Sequence, residues 1–406
     1  MAHSQTKNRI PTLRFPEFQN DGEWDYVNGN ELFVPIVNKN HNSDLPILAI
    51  TQDQGAVPRD LIDYNVIVSD KSIAGYKVVE IGDFIISLRS FQGGIEYSNY
   101  KGLCSPAYIV LRQKNDSICN DFYRYYFKSK KYIQDLNRNL EGIRDGKMIS
   151  YQQFSEIKIP FPPLAEQKRI AECLSTMDEA ITEFNNKLEL LKSHKKGLMQ
   201  KLFPAKGQKV PEFRFKEFEK DGEWEEKPFG TIIRECKQVS KVENEDVLLS
   251  SAIDGVFLNS ELFSHQRGTS NIGYRKLKKN MLILSAQNLH LGNANVNLRF
   301  EHGLISPAYK IYEIEKCDPE FLSHWVKKDS TKDFFFDATI EGASVCRRNV
   351  VWNKLYSQAL SIPSAQEQRR IAECLSSVNE TINLYNDKIN LIEQHKKGLM
   401  QQLFPK

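Results

Sequence analysis

The chain has 406 residues, of which 40% are hydrophobic and 26% charged, with a formal net charge of +3 at pH 7. This is the balance of an ordinary soluble globular protein with room for two or more domains. No apolar run approaches the roughly 18–20 residues of a membrane helix, and a charge this close to neutral neither marks nor excludes a phosphate-binding surface.

The opening MAHSQTKNRIPTLRF has no apolar core behind its polar residues. A secretory signal is therefore not expected, and a cytoplasmic location follows. Residues 11–24, PTLRFPEFQNDGEW, return as 211–224, PEFRFKEFEKDGEW. The recurrence continues in order. Gly102-Leu103-Cys104-Ser105-Pro106-Ala107-Tyr108 returns as Gly303-Leu304-Ile305-Ser306-Pro307-Ala308-Tyr309. AEQKRIAECLS from Ala165 returns as QEQRRIAECLS from Gln366, and HKKGLMQKLFP (194–204) as HKKGLMQQLFP (395–405). One module is used twice. Between these anchors, 25–100 and 225–300 have diverged, keeping islands such as Ile47-Leu48 with Gly55 against Val247-Leu248 with Gly255. One fold with two different working surfaces is expected.

Within each module the first part reads as mixed α and β. Short β-rich runs at 47–50, 65–69, 83–88 and 108–111 are bounded by Gly, Pro, Asn and Asp. Residues 121–136 and 320–335 carry apolar residues near helical spacing. Pro160, Pro162 and Pro163 then precede a long helix, as Pro363 precedes a second, and Phe203-Pro204 and Phe404-Pro405 end them. In the first helix the apolar positions are Ile170, Leu174, Met177, Ile181, Phe184, Leu188 and Leu191, then Leu198 and Leu202, interrupted by Lys195. In the second they are Ile371, Leu375, Val378, Ile382, Tyr385, Ile389 and Ile392, then Leu399 and Leu403, interrupted by Lys396. Alternating steps of four and three are the coiled-coil spacing; a broader apolar face would mark a helix that merely covers its own domain. The linker PAKGQKVP (204–211) resembles the N-terminal QTKNRIP, so the end of the chain is suited to meet its beginning in a cyclic plan.

The expected fold class is α+β: two similar globular domains joined by two long antiparallel coiled-coil helices in a pseudo-twofold repeat. The boundaries read as domain 1–162, helix 163–204, linker 205–210, domain 211–363 and helix 364–406.

The sequence carries no recognisable catalytic motif. Gly142-Ile143-Arg144-Asp145-Gly146-Lys147 is one residue short of a phosphate loop and has no Ser or Thr after the Lys. No glycine-rich turn suits a nucleotide fold, and IPFPPL lacks the Asn or Asp that amino-methyltransferases place before Pro-Pro-aromatic. Glu156-Ile157-Lys158 has no convincing acidic partner for a nuclease site. The eight histidines form no H-x-x-x-H pair; His194 and His395 sit in basic helix ends. The seven scattered cysteines form no zinc pattern, and Cys173 and Cys374, beside the apolar seams, read as reduced packing thiols. No catalytic or metal-ligating residue is expected.

The paired openings Leu13-Arg14-Phe15-Pro16-Glu17-Phe18…Gly22-Glu23-Trp24 and Phe213-Arg214-Phe215…Gly222-Glu223-Trp224, the two Ser-Pro-Ala-Tyr segments, and the domain ends Ile159-Pro160-Phe161-Pro162-Pro163-Leu164-Ala165-Glu166-Gln167 and Ile362-Pro363…Glu367-Gln368 form an ordered set. With the helix ends Lys-Lys-Gly-Leu-Met-Gln, this set resembles the specificity subunits of type I restriction-modification systems over nearly the whole chain. The resemblance implies two target-recognition domains, each reading one half of a split sequence in double-stranded DNA. It implies two modification subunits that methylate adenine and two restriction subunits that translocate and cut. S-adenosylmethionine, ATP and Mg belong to those partners, with no cofactor in this chain, no catalysis of its own and no membrane. About 37 helical residues would span about 55 Å at ~1.5 Å each, or on the order of 16 base pairs at ~3.4 Å.

Under this reading the candidate DNA contacts are Arg89 and Gln92, in a loop with Ser90, Phe91 and Gly93, and Gln287 and Asn288, in a loop with His290 and Asn293. These are types that pair with base edges. Arg144 and Lys147 in 142–150, and Arg347 and Arg348 in 342–351, are candidates for phosphate or base contact. The cluster Arg275, Lys276, Lys278 and Lys279 reads first as a solvated face. The alternative from another class is a coiled-coil scaffold or adaptor with two protein-binding domains. A self-sufficient methyltransferase lacks its cofactor loop.

Overall fold

The computed structural model describes residues 9–42, 44–62, 73–138, 149–263, 270–341 and 348–405. The strand expected at 65–69 and the basic positions Arg144, Lys147 and Arg347 lie outside the described residues. The chain divides into two units: residues 1–185 with 387–406, and residues 186–386.

The first unit is built on a sheet ordered Phe33–Ile36, Ile109–Gln113, Phe84–Ile86, Glu96–Tyr97. The strand Phe84-Ile85-Ile86 is apolar throughout because both of its faces are covered. Phe84 and Ile86 enter the large core with Trp24, Phe33, Phe122 and Phe127. Ile85 enters a smaller one with Leu48, Val79, Cys104 and Val110. That smaller core is closed by the hairpin Leu48–Thr51/Gly55–Pro58 and the pair Lys77–Val79/Gly102–Cys104. The second unit repeats the plan with Ile233–Cys236, Tyr309–Ile314, Leu282–Ser285 and Ala294–Val296. Here Leu282 and Leu284 face one core and Ile283 the other. The mixed α and β character expected of each repeat holds.

The single helices expected at 121–136 and 320–335 are each broken in two, at Asn120–Tyr126/Lys130–Arg138 and Pro319–Trp325/Asp329–Asp337. In the first, Ser129 Oγ accepts the Tyr132 amide at 3.2 Å and starts the new helix, an N-terminal cap of the usual kind.

Each motif that recurs at the start of a module is explained by one buried knot. In the first unit, Glu166, in the first turn of the long helix Leu164–Leu202, is 1% exposed. Arg14 donates to both of its oxygens at 2.7 Å, and Trp24 Nε1 donates at 3.0 Å. Arg14 also donates to the carbonyls of Asp21 and Gly22, at 2.6 and 3.0 Å. In the second unit Arg214, Trp224, Asp221 and Gly222 make the same bonds around Glu367, in the first turn of Ala365–Leu403. A planar guanidinium forked on a carboxylate is geometrically demanding, so the arm and the helix start keep one arrangement.

Both long helices have 39 residues. Their ends are domain core rather than helix seam, which corrects the reading of the whole apolar series as coiled coil. Ile170 and Leu174 are buried with Phe122 in the first unit, together with Leu403 and Phe404 from the end of the chain. Ile371 and Leu375 are buried in the second with Leu202 and Phe203. The beginning of each module docks on a helix end: the Leu13 amide donates to the Gln402 carbonyl at 3.0 Å, and Phe213 to Lys201 at 2.9 Å. The cyclic plan is thus present in each unit. The middle positions are half-buried (Met177, Ile181, Phe184, Leu191, Val378, Ile382, Tyr385, Ile392) or buried (Leu188, Ile389). In the first unit Lys396 meets Asp178 at 2.5 Å, and Lys388 lies 4.4 Å from the Phe184 ring centre, so the helix segments there run antiparallel. The interruption at Lys396 is an ion pair joined by Tyr125, whose hydroxyl donates to Asp178 at 2.7 Å. In the second unit, burial pushes Lys195 down, and His324 down to about 4. Cys173 is partly buried, which raises its thiol as expected of a packing group.

Candidate nucleic-acid interface

The candidate loops occupy the same place in the two units. Each joins an inner strand of a four-stranded sheet to that sheet's edge strand: residues 87–95 between Phe84–Ile86 and Glu96–Tyr97, and 286–293 between Leu282–Ser285 and Ala294–Val296. Serine starts both turns. Arg89 donates its amide to Ser87 Oγ at 3.2 Å, and Asn288 donates its amide to Ser285 Oγ at 3.1 Å. Short Asx- and Ser-type turns of this kind hold a backbone without a regular ladder.

Arg89 and Gln92 are exposed on the first loop, and Gln287 and Asn288 on the second. Ser90 is 1% exposed and accepts the Ser87 amide at 2.9 Å, so it serves the loop's own fold. Gly94 lies at φ +82°, and a Cβ there would meet the Phe127 carbonyl at 2.0 Å; only glycine lets the loop base sit on the helix end. Beside the first loop stands the hairpin turn of 52–54, all exposed; Gln52 donates to the Arg89 carbonyl at 3.3 Å. Sequence reasoning missed this turn, whose signal was a polar interruption, TQDQG, between two β-rich runs.

Asn293, in the same loop as Gln287 and Asn288, is 6% exposed and bonded to Ser251 at 3.1 and 3.3 Å. It faces the sheet because its neighbour Ala294 begins the edge strand. His290 is half-buried, with Nδ1 enclosed and without a hydrogen-bond partner among the described residues. Burial, and then the charge of Arg348, hold its imidazolium down. Arg348 thus reaches the neighbourhood of the second loop from the strand Arg348–Val350. Its guanidinium lies 4.1 Å from the Phe336 ring centre and donates to Thr339 Oγ1 at 2.7 Å. The structure therefore brings Arg348 within electrostatic reach of His290, in the loop that carries the exposed Gln287 and Asn288. In the cluster 275–279, Lys276 is paired with Glu245, and Lys279 with Glu301 at 2.6 Å, which fits a solvated, ion-paired face.

Among the described residues, no group of His, Cys, Asp and Glu could hold a metal ion, and no helix is long and apolar enough to cross a membrane.

Residues 7–192 match the family model of the type I restriction modification DNA specificity domain. The type I restriction enzyme MjaVIII specificity subunit of Methanocaldococcus jannaschii is 27% identical over 349 residues, spanning 80% of this chain and 79% of that protein. In fold, the chain is similar to the S subunit of a type I restriction-modification system from M. genitalium, with a TM-score of 0.55 and 15% identity over 98% of this chain and 99% of that one. It is also similar to a chain of a type I R-M assembly, with a TM-score of 0.51 and 14% identity over 94% and 97%.

Proposed function

We propose that the chain is a specificity subunit of the type I restriction-modification family and acts in DNA target recognition, a reading supported by the match of residues 7–192 to the DNA specificity domain and by the similarity to curated specificity subunits. Each unit reads one half of a split sequence in double-stranded DNA through its sheet-edge loop. The carrying observation is that the two diverged segments end in the same loop, each presenting exposed hydrogen-bonding side chains on a backbone pinned from below. Arg89 suits the O6 and N7 acceptors of guanine; Gln92, Gln287 and Asn288 suit the N6 and N7 edge of adenine. Arg348 supplies a cation for phosphate or base, with Arg144, Lys147 and Arg347 as further candidates. Gln52 adds a polar side chain beside the first loop. The family match favours this reading over a protein-binding adaptor.

The test is to map methylated adenines in cells that carry the chain with its modification subunit. Gln287→Ala combined with Asn288→Ala removes one or two base-edge pairs, each worth about 1–3 kcal/mol of discrimination. One half of the motif should become degenerate and the other remain unchanged. An unaltered motif would place base reading elsewhere.

The long helices space the readers and carry the partners in this proposal: two modification subunits with S-adenosylmethionine and two restriction subunits with ATP and Mg, all in the cytoplasm. The chain is then a non-catalytic subunit. Purified alone, it should transfer no methyl group and cut no DNA. Robust methylation by the chain free of other subunits would overturn this assignment.

A further inference from the structure

We propose that Lys128 and Lys327 are the positioning residues of the two reading loops, each ammonium tying the neighbouring hairpin turn to the loop's base. The inference rests on the reading that these loops contact bases.

The two lysines hold one structural position. Each stands two residues beyond a helix, Asn120–Tyr126 or Pro319–Trp325. Each donates its amide back into that helix, to Tyr125 at 3.1 Å or to His324 at 3.0 Å. The side chain then leaves its own helix. Lys128 Nζ donates to the carbonyl of Gln52 at 3.1 Å, in the hairpin turn, and to that of Gly93 at 3.0 Å, in the loop. Lys327 Nζ donates to the carbonyl of Ile253 at 2.5 Å, in the equivalent turn, and to that of Ala294 at 2.9 Å, where the loop enters its edge strand. An ammonium has three donors and no acceptor, so one group can collect carbonyls from two segments that share no backbone bond of their own.

Burial argues that the tie is built rather than incidental. It pushes Lys327 down to about 8, whereas a lysine needed only for solubility keeps its head in water. The two units differ in the third neighbour. Glu96 pairs with Ile85, and Asn295 pairs with Ile283, in the same ladder position. Glu96, itself pushed up to about 6 by burial, accepts from Lys128 at 2.5 Å. Asn295 instead donates to Ser251 Oγ at 2.7 Å and to the Ala252 carbonyl at 2.8 Å, fastening the same turn from its other side. The two units thus differ in the residue at this ladder position but share the lysine and its two kinds of carbonyl. The unit without the carboxylate has another bond to the same turn.

The experiment is methylated-adenine mapping with the complete modification complex, using Lys327→Met, which removes the donors at similar length, and Lys327→Arg, which keeps them. K327M should lower base discrimination by about tenfold, the scale of one base-edge pair, in the half-site read by the second unit alone, and K327R should restore most of it. For the first unit, K128M is paired with E96Q, because a buried carboxylate left without its partner could unfold the unit. An unchanged motif with K327M, while Gln287→Ala/Asn288→Ala relaxes it, overturns the positioning role alone. If neither relaxes it, the loop reading itself fails. Loss of methylation at every site with the protein still folded by circular dichroism, or no recovery with K327R, also counts against positioning, because a tie that acts on one loop leaves the other half-site read.

Discussion

Glu166→Gln should destabilise the first unit by about 3–5 kcal/mol, the cost of leaving a buried charge without its partner. The carboxylate is 1% exposed and takes two bonds from Arg14 and one from Trp24. The amide removes the charge and turns one acceptor into a donor facing a guanidinium. The Arg14 side chain is only 6% exposed, so solvent cannot take over the lost interaction. The measurement is the urea midpoint followed by Trp24 fluorescence, with hydrogen exchange over residues 9–24 as the local readout. Glu367→Gln should do the same to residues 209–224 in the second unit, through Arg214 and Trp224. A shift below about 1 kcal/mol, the range of an exposed ion pair, would show that the repeated motif is not held by this knot.

Replacing residues 211–362 with the equivalent domain of a similar type I restriction-modification specificity subunit should exchange one half of the methylated motif and leave the other half intact. The second unit has its own cores, containing Trp224, Phe229, Leu282 and Phe321 in one and Leu249, Ile283 and Ile311 in the other. What it must still fit is short and repeated: the helix end Leu202-Phe203 and the helix start Ile371 to Leu375. A donor domain from such a similar subunit is chosen to bring matching surfaces for both. If both halves of the motif changed together, the units would not read independently. The exchange also assigns each half-site to its unit, which the lysine experiment requires.

The duplication, the mixed character of each globular part and the two long helices were all legible in the chain. They depend on local order: repeated words at a fixed offset, β-rich runs closed by turn residues, and apolar steps of four and three. The loops with Arg89, Gln92, Gln287 and Asn288 were legible for the same reason, since each follows an apolar strand and carries polar side chains of base-pairing type. The helix break at Ser129 was not, because Phe122 to Leu136 keeps apolar residues near helical spacing on both sides of it. The inward turn of Asn293 in the same loop was not legible, because composition cannot tell an amide that faces solvent from one that closes on Ser251.

The chain order alone decides that there are two modules and where their helices lie, since periodicity is a property of neighbours in sequence. It is the tertiary structure that decides what the repeated words are for. Arg14 and Glu166 are 152 residues apart, Lys128 and Gln52 are 76, and Lys327 and Ile253 are 74. No local pattern links such partners. They meet because sheet pairing and core burial bring distant segments together, and there desolvation turns a charged side chain from a solvated residue into a fastener.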